Sequence, residues 1–284
     1  MARGFTRRTF NARVRFVNVV GIFDSGIGGL TVAREVCQQL PGLDLVYLGD
    51  TARLPYGAKS PDTVTRYALQ CVRFLEEVKI EVLVIACNTA SACAIPALRE
   101  AYPTTPVLGV VEPGAKAAVA ATKTGSIGVI GTQGTVNSNS YREAILALAP
   151  AARVTQKACP LLVPLAEVGW LDHEVTELTI RTYLTPLLEH TAEHDPIDTL
   201  VLGCTHYPAL KPAIRSALEK MAPTRTIALV DSAEAVTAEL AVLTGAKPGQ
   251  GSRHIYVTDL PKRFAGVAQT FWRAALPEVT HIDL

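Results

Sequence analysis

The sequence predicts an α/β protein made of two pseudo-symmetric α/β domains, each with a parallel-type central sheet, and with an inter-domain cleft as the natural place for an active site. Two observations lead there. Short β-branched runs alternate with amphipathic stretches along the chain, the pattern of βα units and parallel sheets. The strongest of these runs also recur as an internal echo in the second half. The composition agrees: residues of the AVILMFWYC set make up 49% and charged residues 19%, which suits a folded globular chain rather than a disordered one.

In chain order, the predicted strands cover residues 17–23, 44–48, 82–86, 107–111, 126–130, 200–202 and 227–230. Between the second and third lies a helix signal. Ser60 offers an N-cap and Pro61 suits the first helical position, and then Val64, Tyr67, Cys71, Phe74 and Val78 recur at helical spacing. Cys71 is thereby expected on a buried face, and Cys37 and Cys93 are expected in the core of other helices. Beyond about residue 250 no motif is readable.

The echo pairs Leu83-Val84-Ile85-Ala86-Cys87-Asn88-Thr89 with Leu200-Val201-Leu202-Gly203-Cys204-Thr205-His206. Gly21-Ile22-Phe23-Asp24-Ser25 pairs likewise with Gly128-Val129-Ile130-Gly131-Thr132. The order and similar spacing of the two pairs suggest duplicated halves. The chain is expected to cross near Glu112-Pro113-Gly114 and return near Asp231-Ser232. That gives a first domain of 1–113 plus 232–284 and a second of 114–231.

Charge and composition narrow the partner. A formal charge of +1 provides no broad cationic field for nucleic acid or an anionic membrane, so a small-molecule substrate is favoured. No apolar run approaches the roughly 18 to 20 residues of a membrane-spanning helix. The six cysteines, Cys37, Cys71, Cys87, Cys93, Cys159 and Cys204, form no C-x-x-C and no cluster with histidine. Neither a metal site nor a disulfide framework is predicted, and a reduced cytoplasmic protein is. Residues 1–15 carry five arginines, and residues 6–10 superficially look like a twin-arginine signal. The apolar segment such a signal needs is missing, so this stretch is expected to be a disordered or surface-adhering extension.

Cys87 and Cys204 each follow a predicted strand and precede a helix-like stretch, the place where ligands bind in open α/β sheets. A thiol beside unpaired helix N–H groups can be shifted down from about 8.5. Inversion at a carbon needs a base on one face and an acid on the other, because a single group returning its own proton regenerates the starting enantiomer. Two matched thiols meet that need. Buried structural cysteines are the plainer alternative, but Asn88-Thr89 and Thr205-His206 beside them are costly to bury without partners. Asp24-Ser25 with Gly26, Gly28 and Gly29 makes a turn through which backbone can approach a carboxylate. Gly26-Ile27-Gly28-Gly29 does not complete a G-x-G-x-x-G, and no lysine-bearing P-loop is present. Taken alone, Gly49-Asp50-Thr51 with Pro55-Tyr56-Gly57 is an ordinary turn, Glu167 a solvated carboxylate and His206 a structural histidine. A Schiff-base lysine such as Lys59 or Lys116 stays open on the residues alone.

The ordered set of residues 23–30, Asp50-Thr51-Ala52-Arg53, Pro55-Tyr56-Gly57, residues 86–91, Gly131-Thr132, Pro164-Leu165-Ala166-Glu167 and residues 203–208 closely resembles the glutamate racemases of the aspartate/glutamate racemase family. The likeness runs from about residue 20 to residue 240. It implies that Cys87 and Cys204 are the catalytic acid/base pair, with Asp24 beside the first and Glu167 and His206 supporting the second. It implies that Asp24, Ser25, Tyr56, Gly57, Asn88, Thr89, Thr205 and His206 surround the substrate. Interconversion of L- and D-glutamate without a cofactor, Cys87 deprotonating the D-isomer and Cys204 the L-isomer, follows from the resemblance, as do a supply of D-glutamate to peptidoglycan and a homodimer. Ala166 departs from the pattern, which more usually has a bulkier aliphatic residue there. The rivals are a racemase for aspartate or another amino acid, a thiol redox protein joining Cys87 to Cys204, and an amino-acid-binding module.

Overall fold

A computed structural model describes residues 19–189, 196–245, 248–260 and 264–284; the arginine-rich stretch 1–15 lies outside the described residues. The first sheet contains β1 (Val19–Asp24), β2 (Asp44–Gly49), β3 (Val82–Ile85) and β4 (Val107–Gly109). The second contains β5 (Ser126–Gly131), β6 (Arg153–Ala158), β7 (Thr199–Gly203) and β8 (Ala228–Asp231). The chain then returns to the first sheet with β9 (Arg253–Val257) and β10 (Val279–His281). Every pairing in both sheets is parallel.

The first sheet runs β10-β9-β2-β1-β3-β4 and the second β6-β5-β7-β8. Without the two C-terminal strands the orders are identical, β2-β1-β3-β4 against β6-β5-β7-β8, so the echo in sequence is an echo in topology. In each sheet the order reverses at the first strand, which opens a crevice beyond the carboxyl ends of β1 and β3 and of β5 and β7. The chain passes from the first sheet to the second through helix Val111–Ala121 and back through helix Ser232–Thr244.

The central strands read as unbroken apolar runs because both of their faces are covered. In β1, Val20 and Ile22 enter one core while Val19 and Phe23 enter another. In β7, Leu200 and Leu202 join the first of these cores and Val201 a third. One contiguous core therefore takes side chains from both sheets. Burial of each such aliphatic or aromatic side chain stabilises the fold by roughly 1.5–3 kcal/mol.

Helix Pro61–Glu77 begins as its sequence predicts, with the Ser60 side chain accepting from the Thr63 N–H and Cys71 fully buried. Cys37 and Cys93 are only half-buried, packed at the margins of the cores. The β-branched run 107–111 is cut short after Gly109, because Val111 already opens the next helix.

Candidate active site

Register brings the chemistry-bearing residues to one edge of each sheet. Phe23 pairs with Ile85, so Asp24-Ser25 and Cys87 leave the first sheet side by side. Gly131 pairs with Gly203, so Thr132 and Cys204 leave the second sheet the same way. Parallel strands carry their successors to the same end, and the two order reversals put all four segments at the crevices.

Cys87 is the N-cap of helix Asn88–Cys93. Its sulfur accepts from the Ala90 N–H at 3.4 Å, and its thiol donates to Ser25 Oγ at 3.2 Å. Only 5% of the residue is exposed. Burial, reinforced by the charge of Asp24, pushes the Cys87 thiol up to about 12, with the Ser25 and Ala90 contacts opposing. This corrects the expectation of a lowered thiol: one weak N–H contact at the start of a six-residue helix does not offset the loss of water around the sulfur. Asp24 is fully buried, and burial raises its carboxyl despite the His206 charge and nearby backbone N–H groups. Its Oδ2 accepts from the Gly26 N–H at 3.0 Å, while Oδ1 has no hydrogen-bond partner among the described residues.

On the opposite side Cys204 is equally buried, at 5% exposed. Its sulfur lies 3.8 Å from His206 Nδ1, and His206 Nε2 lies 3.0 Å from Glu167 Oε1. Glu167 closes helix Leu162–Glu167 and keeps a third of its side chain in solvent. Burial pulls the His206 imidazole down, but its contacts with Cys204 and Glu167 outweigh that and carry it up to about 10. The result is a line of contacts from the surface to Cys204. Phe271 meets the His206 ring edge-on at 5.1 Å between centroids.

The two halves touch tightly around these groups. Thr31 Oγ1 donates to the Thr205 carbonyl at 3.0 Å, and a side chain at Gly28 would collide with Thr205 and His206. Thr89 Oγ1 lies 3.0 Å from Thr132 Oγ1 and 3.4 Å from Thr135 Oγ1. A Cβ at Gly57 would sit 2.7 Å from Thr132. Asn88 accepts from the Tyr141 hydroxyl at 2.7 Å through Oδ1, and its Nδ2 has no acceptor among the described residues. Cys87 and Cys204 are near enough for a charge on Cys204 to bear on Cys87.

Asp24, Ser25, Gly57, Asn88, Thr89, Cys87, Cys204, Thr205, His206 and Glu167 are thus brought to one junction between the halves. Tyr56 is fixed differently: its ring is buried and its hydroxyl donates to Asp50, leaving only its backbone for a ligand. Lys116, considered as a Schiff-base candidate, is on the surface paired with Glu239 at 2.6 Å. Thr132, Thr135 and Tyr141 escaped the sequence reading as site residues. Thr132 was within reach, since the echo aligns it with Ser25. Tyr141 carries no local signal.

Residues 29–241 match the family described as Asp/Glu/Hydantoin racemase. A glutamate racemase of Geobacter metallireducens is 48% identical over 271 residues, which is 93% of this chain and 96% of the relative. The crystal structure of glutamate racemase isoform RacE1 from Bacillus anthracis superposes with a TM-score of 0.85 at 38% identity, over 94% of this chain and 98% of that one. Glutamate racemase from Francisella tularensis, solved in complex with D-glutamate, superposes with a TM-score of 0.84 at 32% identity, over 94% and 97% of the two chains.

Proposed function

The chain belongs to the Asp/Glu/hydantoin racemase family, and from that membership we propose that it interconverts L- and D-glutamate, with Cys87 and Cys204 as the paired acid and base. It is an isomerase. The observation that carries the two-thiol reading is the equivalence of Cys87 and Cys204, each buried at the end of the same strand of a repeated topology and each next to ionisable side chains.

In one direction the Cys87 thiolate takes the α-proton of D-glutamate, and the electron pair left on the α-carbon spreads into the α-carboxylate. The Cys204 thiol delivers its proton to the opposite face, giving L-glutamate, a Cys87 thiol and a Cys204 thiolate. The reverse reaction begins from that state. With its thiol at about 12, Cys87 needs help to ionise. The α-ammonium of a bound amino acid supplies a positive charge, and in this reading Asp24, whose charge bears on Cys87, takes up the thiol proton. On the other side His206 and Glu167 exchange protons between Cys204 and solvent. Ser25, Thr89, Thr205, Asn88 and the Tyr56-Gly57 backbone offer neutral groups for the substrate without competing for the moving proton. No residue of this scheme calls for a cofactor.

The domain division at 1–113 plus 232–284 and 114–231 remains our reading, supported by the membership of the two sheets. Among the described residues no helix is long and apolar enough to cross a membrane. A cytoplasmic location and a supply of D-glutamate to peptidoglycan are our reading from family likeness. We hold a homodimer on family likeness, to be checked by sedimentation.

Proton NMR of L-glutamate in D₂O tests the reading. The protein is expected to wash out the α-proton and form the D-isomer, while Cys87→Ala and Cys204→Ala each lose racemisation by at least about 10²-fold. Exchange of L-aspartate alone would transfer the chemistry to another substrate. No exchange of either would leave a binding or redox protein.

A further inference from the structure

Tyr141 is fully buried on helix Ser140–Leu148 of the second half, yet its hydroxyl donates to Asn88 Oδ1 of the first half at 2.7 Å. Its ring fills space kept open by two glycines. A Cβ at Gly203, the residue before Cys204, would lie 3.1 Å from the ring, and so would one at Gly114 in the crossing helix. Ser232, which opens the returning helix, lies beside the same phenol. Tyr141 therefore touches both thiol-bearing strand ends and both passages of the chain between the sheets.

Asn88 is 2% exposed, and with Oδ1 engaged by Tyr141 its Nδ2 is a buried donor with no acceptor among the described residues. A buried amide donor aimed at nothing is costly unless a ligand completes it. We propose that Tyr141 is a positioning residue for racemisation: by donating to Asn88 Oδ1 it holds the amide with Nδ2 towards the substrate, as a donor to the α-carboxylate. The reversed amide would donate to the phenol instead and turn its carbonyl oxygen on an anion, which repels it. The anion decides between them, because only the orientation with Oδ1 on the phenol leaves a donor facing it, and burial keeps the phenol protonated so that it can make that donation. The inference rests on the racemase reading above and adds the residue that orients one of its binding groups.

The test is steady-state kinetics in both directions on the wild type, Tyr141→Phe, Asn88→Ala and the double variant, with calorimetric Kd for glutamate where turnover is too slow to follow. Tyr141→Phe keeps the ring between the glycines, so its thermal midpoint is expected to stay near that of wild type. Its KM is expected to rise about tenfold, the scale of one mispositioned hydrogen bond to a charged group, with kcat changed less than about threefold. In the Asn88→Ala background the same substitution is expected to change KM or Kd less than about twofold, because the group it orients is gone. Equal losses in both backgrounds, or an unchanged KM in Tyr141→Phe, would overturn the proposal; a folding cost of the substitution itself appears in both backgrounds and cancels. A wild type that exchanges no α-proton sinks the racemase reading instead, so the two failures are distinguishable.

Discussion

At the scale of the residue, the contacts that link Cys204, His206 and Glu167 set a pH dependence of stability. The His206 imidazole is raised from its ordinary 6.5 to about 10. A group whose folded value is raised holds more protons in the folded state between those limits. Its contribution to stability is complete below about 6.5 and is lost as pH climbs towards about 10. Glu167→Gln removes one of the contacts that raise it. The urea midpoint of the wild type should fall between pH 6.5 and pH 10, and that fall should be smaller in the Glu167→Gln variant. Identical pH slopes in the two proteins would mean that Glu167 does not hold the proton on His206. Of this site, Cys87 and Cys204 were legible because an apolar strand ending in a small residue, a cysteine and polar neighbours is a local pattern, and it occurs twice. Glu167 and His206 gained meaning only from resemblance, since a carboxylate and an imidazole 39 positions apart have no local signature of contact.

At the scale of the element, the apolar strands were readable and the polar or thinly covered ones were not. β1, β2, β3, β5, β7 and β8 are apolar enough to stand out. β6, with the sequence Arg-Val-Thr-Gln-Lys-Ala, is a partly exposed edge strand rich in polar residues, and it was missed. β9 and β10 were missed as well; β9 is only partly covered, and β10 is short and outermost. Helix ends carry energies that can be measured. Asp231 caps the helix that returns the chain to the first sheet, with Oδ1 accepting from the Ala233 N–H at 2.8 Å and Oδ2 paired with Lys211 at 2.8 Å. Asp231→Ala is expected to lower stability by about 1–2 kcal/mol in urea unfolding, and Asp231→Asn, which keeps the cap, to recover most of that. An alanine variant as stable as wild type would show that the cap contributes nothing at this junction.

At the scale of the whole molecule, the contiguous core fed by both sheets predicts that the halves unfold together. The two tryptophans report on different halves: Trp170 follows β6 and stacks on His173, while Trp272 is buried in a helix that packs beside the first sheet's helix Leu30–Gln39. In Trp170→Phe and Trp272→Phe, each with one remaining reporter, fluorescence midpoints in urea should coincide with each other and with far-UV dichroism. Separated midpoints would mean that each half folds by itself and that the shared core contributes little. The sequence by itself determined the alternation of strands and helices, the repeat and the two cysteine motifs, because hydrophobic periodicity and strand-end chemistry are properties of consecutive residues. The tertiary structure alone decided that Cys87 is a buried thiol raised to about 12, that Tyr56 turns its hydroxyl to Asp50, and that Tyr141 reaches Asn88. Burial, electrostatic environment and the direction of a hydrogen bond are set by neighbours distant in the chain, and no stretch of sequence contains them.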